Sequence, residues 1–313
     1  MLRIKKILFP TDFSACAEHA FAHAALLVRH YEAALHVLNV AVPPEGDPDD
    51  LKGHLEEMDL DTAPLSDQMQ ACCGDLEKEV PTTYVREADV SAASGIQRYA
   101  REQDIDLIVM GTHGRRGLDH VFIGSIAEEI VRTAPCPVFT IGMEALAKPE
   151  QTVQRILVPV DFSEYGGPAL AYAKELAAVY QARLDLLHVV EHADLSSAYG
   201  TPVRFTLTPA EMQKNSRQAL HAIGKQVLGE TVPFEVHAVG GNPALDTVDF
   251  AARHNSDLIV MATHGRTGIR RMVIGSVTEK VVRMASCPVF TVKSFGKSLL
   301  SLNGPAETHT AAS

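Results

Sequence analysis

Nowhere in the 313 residues does an uncharged apolar run approach the roughly 18 residues that a membrane-spanning helix needs. The opening Met1-Leu2-Arg3-Ile4-Lys5-Lys6-Ile7-Leu8-Phe9-Pro10 carries the positive charge of a secretion signal, but its apolar part is too short for one and reads as a strand. A cationic surface is also missing. With 28 Lys and Arg against 39 Asp and Glu the net charge is −11, so broad attraction to nucleic acid or anionic lipid is not expected. Cysteine is sparse: Cys16, Cys72, Cys73, Cys136 and Cys287 are odd in number and form no C-x-x-C pair. That argues against a disulfide framework and for a reducing, cytoplasmic setting.

Several site signatures are absent too. Gly224-Lys225 is followed by Gln226 rather than Ser or Thr, so there is no P-loop, and no G-x-G-x-x-G follows the first strand. His188-Val189-Val190-Glu191-His192 spells H-x-x-E-H, but that zinc motif needs a helix and here straddles a strand end. His19 and His23 stand four apart on the first helix without a carboxylate or cysteine partner, and a solvated helix face is the simpler reading. Cys136 and Cys287, each before a proline, read as buried packing, and Cys72-Cys73 as ordinary helix positions. No metal site and no catalytic residue are expected.

What the chain does have is a repeat. Asp106-Leu107-Ile108-Val109-Met110 recurs as Asp257-Leu258-Ile259-Val260-Met261, and GTHGRRGLDHVFIGSIAEEIVRTAPCPVFTI from Gly111 is answered by ATHGRTGIRRMVIGSVTEKVVRMASCPVFTV from Ala262. Ile7-Leu8-Phe9-Pro10-Thr11-Asp12-Phe13-Ser14 likewise answers Ile156-Leu157-Val158-Pro159-Val160-Asp161-Phe162-Ser163. Two copies about 150 residues apart indicate a duplicated domain rather than a solenoid of short units. The predicted domains are 1–146 and 152–294, with a polar, small-residue tail over 295–313 expected to be disordered.

Within each copy short β-branched runs alternate with helical patterns. The predicted strands are Lys6–Phe9, Leu35–Val40, Thr82–Arg86, Leu107–Met110 and Val138–Ile141, then Arg155–Val158, Leu184–Val189, Phe234–Ala238, Leu258–Met261 and Val289–Val292. Ala20, Phe21, Ala24, Leu27 and Val28 make one apolar helix face between the first two. The pattern predicts an α/β fold, each copy an open parallel five-stranded sheet flanked by helices and joined by right-handed crossovers. Ligands of such sheets sit beyond the carboxyl ends of the strands. There the chain places Pro10, Thr11 and Asp12, with Pro159 and Asp161 in the second copy, and the glycine loops Gly111-Thr112-His113-Gly114 and Ala262-Thr263-His264-Gly265. Gly124-Ser125 and Gly275-Ser276 follow, each opening a helix. Glycines admit an anion close to the backbone, and a helix start offers N–H groups and a positive dipole end. Arg115 and Arg116, and Arg266, Arg270 and Arg271, add cations. The bland alternative is that Ser125 with Glu128, and Ser276 with Glu279, are capping boxes that only start helices.

The spacing Gly111-x2-Gly114-x9-Gly124-Ser125, the Pro10-Thr11-Asp12-Phe13-Ser14 opening and the Cys136-Pro137-Val138 strand together resemble the universal stress protein family over residues 3–143 and 152–293. The resemblance implies a Rossmann-like adenine-nucleotide fold with strand order 3-2-1-4-5 and domains paired through their last strands. It implies that Asp12 and the backbone of Val40 meet adenosine while Gly111, His113, Gly114, Gly124 and Ser125 surround phosphate. Asp161, Val189, His264, Gly265, Gly275 and Ser276 would form the second site. The expected ligand is ATP, with or without Mg2+, and the expected role is stress response or regulation through nucleotide-dependent conformation or partners. A weak ATPase or nucleotidyl transferase, and an interaction module that has lost nucleotide, are the alternatives. The expected partners are adenine nucleotide and, within the chain, the two domains as a pseudo-dimer, while association of whole chains into homodimers stays open. Each copy departs from the family pattern. The second has Ala262 for the first signature glycine and Val160 for Thr11, and the first has Glu87-Ala88-Asp89 where the second has Gly241-Asn242-Pro243. Ala262 adds a Cβ where the backbone meets phosphate, so the first domain is expected to bind ATP more tightly than the second.

Overall fold

A computed structural model describes residues 2–43, 73–112, 124–142, 153–163, 166–191, 208–263, 274–293 and 297–300. Its elements in the first half are β1 (Lys6–Pro10), α1 (Ala15–Tyr31), β2 (Ala34–Ala41), β3 (Thr82–Ala88), α2 (Ala92–Glu102), β4 (Leu107–Gly111), α3 (Ser125–Thr133) and β5 (Val138–Ile141). The second half repeats them, with α5 in addition among the described residues, as β6 (Arg155–Pro159), α4 (Gly166–Tyr180), β7 (Arg183–Glu191), α5 (Pro209–Leu228), β8 (Phe234–Gly241), α6 (Pro243–Arg253), β9 (Leu258–Ala262), α7 (Ser276–Met284) and β10 (Val289–Val292). All ten predicted strands form, several extending further at their carboxyl ends.

Within each half the strands are parallel in the order 3-2-1-4-5, but the halves are not separate sheets. One ten-stranded sheet runs β3-β2-β1-β4-β5-β10-β9-β6-β7-β8. Its centre is the antiparallel pair β5–β10, in which Phe290 lies opposite Phe139, Val289 opposite Thr140 and Thr291 opposite Val138. The Thr140 hydroxyl donates to the Val289 carbonyl at 3.1 Å and the Thr291 hydroxyl to the Val138 carbonyl at 3.1 Å, so the polar atoms of this buried seam are satisfied symmetrically. Both strands are wholly buried, and pairing them covers two apolar edges that would otherwise invite aggregation.

Strands buried on both faces need a helix layer on each side. α1 and α4 lie in one apolar layer, α2, α3, α6 and α7 in the other, and each layer runs unbroken across both halves. On α1 the expected face is buried through Ala20, Ala24, Leu27 and Val28, with Phe21 partly buried beside them. Gly224 is a packing glycine on α5: a Cβ there would stand 2.5 Å from the Phe234 ring.

Two expectations are corrected. The tail expected to be disordered over 295–313 is packed against the protein at Lys297–Leu300. Lys297–Leu300 fold back over the first half: Arg3 N–H donates to the Leu299 carbonyl at 2.8 Å, Leu2 and Leu300 form an antiparallel bridge, and Lys297 pairs with Asp106 at 2.6 Å and Asp104 at 2.8 Å. Leu299 is buried, and its N–H donates to the Tyr172 hydroxyl of α4 at 2.8 Å. Nor is His23 on a solvated face. Its ring packs on Phe139 and its Nδ1 shares a hydrogen bond of 3.0 Å with the Tyr180 hydroxyl, so α1 and α4 touch across the seam. Among the described residues no helix is long and apolar enough to cross a membrane.

Candidate functional site

The loop after the first strand is built identically in both halves. Phe13 and Phe162 hold φ of 59° and 58°, a left-handed conformation that costs energy for any residue but glycine. The preceding aspartate steadies it: Ser14 N–H donates to Asp12 Oδ1 at 3.1 Å, and Ser163 donates to Asp161 Oδ1 through its N–H at 3.0 Å and its hydroxyl at 2.6 Å. Asp12 and Asp161 thus each commit one oxygen to the turn. Thr11 is buried, and its Oγ1 accepts from Phe13 N–H at 3.1 Å.

A second device holds this loop, and sequence reasoning did not single it out in either half. Asn39 Nδ2 donates to the Thr11 carbonyl at 2.9 Å, and at the matching place His188 Nδ1 bonds the Val160 carbonyl at 2.7 Å. Different side chains do one job, so the repeat hides the equivalence. It also accounts for His188 without zinc, since the residue sits inside β7 with its ring against Phe162.

Beyond β4 and β9 the chain turns into α3 and α7 in the same way twice. Thr112 N–H donates to the Ile141 carbonyl at 2.9 Å and Gly124 N–H to the Thr112 carbonyl at 2.7 Å; Thr263 to Val292 and Gly275 to Thr263 repeat these bonds at 2.9 and 2.7 Å. Gly124 and Gly275 are the N-caps, with ordinary extended dihedrals near φ −62° and −63°. The capping boxes considered for Ser125 and Ser276 therefore do not form: each serine is the first helical residue, and no side chain caps either helix. By contrast Ser14, Ser91, Thr208 and Asn242 cap α1, α2, α5 and α6 with side-chain oxygens. The starts of α3 and α7 keep N–H groups that a helix offers an anion.

In the second half these parts enclose a cavity of about 640 Å3. Pro159, Asp161, Val189, Gly275 and Ser276, five of the second-half residues singled out in the sequence, line it together. In the first half Pro10, Thr11, Asp12, Val40, Gly111, Gly124 and Ser125 stand at the corresponding strand ends and helix start. His113, Gly114 and Arg115, and His264, Gly265 and Arg266, lie outside the described residues.

Gly111 has a packing role that the sequence did not suggest. A Cβ on it would lie 3.0 Å from the Cys16 carbonyl carbon, 3.0 Å from Cys16 Sγ and 3.1 Å from Ala17 N, so this glycine lets the start of α1 close onto β4. At the position of Ala17 the second half has Gly166, and Ala262 there lines the cavity beside it.

The described residues hold one cluster of three metal-ligating groups, Asp185, Glu235 and His237. Asp185 is fully buried, and its two oxygens are taken up by the Arg155 guanidinium and by His237 Nε2 at 3.0 Å. Burial alone would raise its carboxyl, but the hydrogen bonds from His237 and Arg155 outweigh that and hold it at about 2. An ion pair with its own partners explains the cluster without a metal. Cys16, Cys73, Cys136 and Cys287 are buried free thiols, and burial pushes Cys136 up to about 12, far from a reactive thiolate. Cys72 lies outside the described residues.

Comparison with known proteins agrees with this geometry. The profile of the universal stress protein family matches residues 3–142 and 152–293. A universal stress protein of Methanocaldococcus jannaschii is 32% identical over 146 residues, covering 46% of this chain and 84% of its own. One of Mycobacterium bovis is 28% identical over 190 residues, covering 61% of this chain and 62% of its own, so the alignment leaves over a third of that relative unmatched. Among solved structures, a universal stress protein of Archaeoglobus fulgidus superposes over 92% of this chain and 98% of its own with a TM-score of 0.62 at 20% identity, a likeness of fold. With the family profile matched twice and nearly end to end, the chain belongs to the universal stress protein family.

Proposed function

We propose that this chain is an ATP-binding regulatory protein of the stress response, an internal pseudo-dimer that acts through nucleotide-dependent conformation or partners rather than through catalysis. The observation that carries the reading is the cavity at the carboxyl ends of β6, β7 and β9, closed by the uncapped start of α7. Its volume of about 640 Å3 falls in the range of small-molecule sites. One wall is apolar, from Pro159, Leu187 and Val189, and suits a base. The other is the N–H end of a helix beginning on Gly275, and suits phosphate. In this reading Asp161 and Val189 face adenosine, and Gly275 and Ser276, with His264, Gly265 and Arg266 of the preceding loop, surround the phosphates. Asp12, Val40, Gly111, Gly124 and Ser125, with Pro10, Thr11, His113, Gly114 and Arg115, form the first-half counterpart, Gly111 by letting the strand and helix close. Mg2+ would arrive with the nucleotide.

Binding is favoured over turnover because, of the two carboxylates on the lining, Asp161 has one oxygen committed to its turn by Ser163 and Glu191 lies exposed at the end of β7. The test is mass determination of nucleotide released from natively purified protein, followed by calorimetric titration of stripped protein with ATP and a turnover assay on the same sample. Bound adenine nucleotide, saturable ATP binding and negligible phosphate release are expected. Absence of ATP binding, calorimetrically and in the released material, would overturn the reading, and multiple turnover would convert it to an ATPase.

A further inference from the structure

The two halves carry opposite charges one helical turn beyond the proposed phosphate position. Ser276 opens α7, and Lys280 follows at i+4, on the same helix face. Both line the second-half cavity. The start of α6 reaches the same cavity through Asn242, Pro243 and Ala244, but the Asn242 side chain already accepts from Ala244 and Leu245 N–H, so the open helix start on the lining is that of α7, which carries Lys280. Of the carboxylates on the lining, Asp161 accepts from Ser163, and Glu191 lies exposed at the end of β7, beside the start of α6.

In the first half the residue at the place of Lys280 is Glu129, which accepts from Gln97 of α2 at 3.4 Å and is thereby held between α2 and α3. Further carboxylates gather beside Val40. A Cβ on Gly95 would stand 2.8 Å from Val40 Cγ1 and 3.2 Å from Asp89 Cβ, which places Asp89 at the edge of the first candidate site. Asp89 and Glu87 share one guanidinium, Arg98, at 3.0 Å each. In the second half the residues level with them in the sheet are Gly241 and Val239. Glu129, Asp89 and Glu87 thus stand against one guanidinium in the first half, while the second keeps Asp246, which accepts from Asn242 N–H at 2.7 Å beside Gly241, and has Lys280 in place of Glu129.

We propose that the halves are unequal nucleotide sites: Lys280 makes the second selective for a polyphosphate over a nucleoside, and Glu129 makes the first disfavour one. This inference rests on the nucleotide reading above and reverses the ranking that Ala262 suggested. Lys280 is a specificity determinant that touches the anionic end of the ligand and leaves the nucleoside end unaffected.

The experiment uses the full chain with the first half silenced by Gly124→Val, titrated calorimetrically with ATP and, separately, with adenosine, at low and high salt. Reversing one exposed charge near a polyanion changes affinity by about tenfold at low salt and by less when salt screens it. Lys280→Glu should therefore weaken ATP about tenfold and leave adenosine unchanged, with Lys280→Met intermediate. In the complementary background silenced by Gly275→Val, Glu129→Lys should tighten ATP and not adenosine. Lys280 is exposed, so circular dichroism should show both variants folded. Equal loss for ATP and adenosine, or no loss for either, overturns the role of Lys280 while the nucleotide reading stands. Failure of both halves of the unmodified chain to bind ATP overturns the nucleotide reading, and this inference with it.

Discussion

Gly111→Ala separates the two meanings of a glycine at a strand end, and its effect can be worked from the contacts. The added methyl would sit 3.0 Å from the Cys16 carbonyl carbon and 3.1 Å from Ala17 N, both backbone atoms of the first turn of α1. Neither can rotate aside. The third neighbour, Cys16 Sγ at 3.0 Å, donates to the Ile141 carbonyl and is itself held. Relief requires the whole start of α1 to lift by a few tenths of an ångström from β4. Overpacking of this kind costs about 1–3 kcal/mol. The methyl points toward the helix rather than across the strand ends, so a correctly folded variant should keep its nucleotide affinity. The assay pairs urea unfolding with ATP titration, both in the Gly275→Val background that leaves only the first site. A lower unfolding midpoint with unchanged affinity is expected. Lost affinity at an unchanged midpoint would refute the packing argument and restore phosphate access as the role of Gly111. The reciprocal change, Ala262→Gly, should leave ATP affinity at the second site where it is, and a large gain would carry the same refutation.

Gly275→Val should abolish ATP binding by the second half and keep the fold, because Gly275 has extended dihedrals that valine adopts, while loss of two hydrogen bonds to charged phosphate at about 1.5–3 kcal/mol each exceeds a hundredfold in affinity; unchanged calorimetric affinity would remove Gly275 from the site. His23 gives a pH signature. Burial, with His19 nearby, lowers its folded value to about 4 against 6.5 in an unfolded chain, so between these values the unfolded state takes up a proton that the folded state refuses. Stability is therefore unaffected by His23 above pH 6.5 and falls as pH drops through 4, by about 3 kcal/mol in all; thermal midpoints measured across that window should fall less steeply in His23→Gln, and parallel slopes would show that His23 stays solvated. Truncation before Lys297 exposes the surface under Leu299, leaves the Tyr172 hydroxyl without its donor and frees Asp106 from Lys297, for a loss of about 2–4 kcal/mol; an unchanged unfolding midpoint would mean that the clasp contributes nothing in solution.

The parts legible in the sequence are those where one physical cause acts alone. The central strands could be read because burial on both faces demands apolar β-branched runs, as in Ile108-Val109-Met110 and Ile259-Val260-Met261, and the half-buried edge strands β3 and β8 by their place in the repeat. The pairing of β5 with β10 followed from two apolar edges that needed cover. The clasp was not legible, because Leu299 and Leu300 are short apolar marks in a polar, small-residue tail, and their partners Leu2, Arg3 and Tyr172 are remote in sequence. The packing role of Gly111 was not legible, because a glycine after a strand serves an approaching ligand and an approaching helix equally well, and only the direction of the missing Cβ distinguishes them.

The hardest positions to read are those where the repeat changes residue type while the structure preserves a task. His36 in β2 bonds the Tyr99 hydroxyl at 2.8 Å under α2. The matching place in β7 is Asp185; the residue matching Tyr99 is Phe250, which has no hydroxyl, and Asp185 finds its partners in Arg155 and His237 instead. Neither solution can be reached from the other by one substitution. An aspartate at 36 beside Tyr99 would lack the guanidinium that Arg155 supplies, and a histidine at 185 would leave that guanidinium half-buried without its carboxylate. Buried polar positions must therefore change in groups, whereas an apolar neighbour such as Leu35 or Leu184 needs only a similar volume. That is why the hydrophobic frame of the duplication reads clearly across both halves, and why the differences between the halves are concentrated in hydrogen-bonded pairs and in the charges around the two candidate sites.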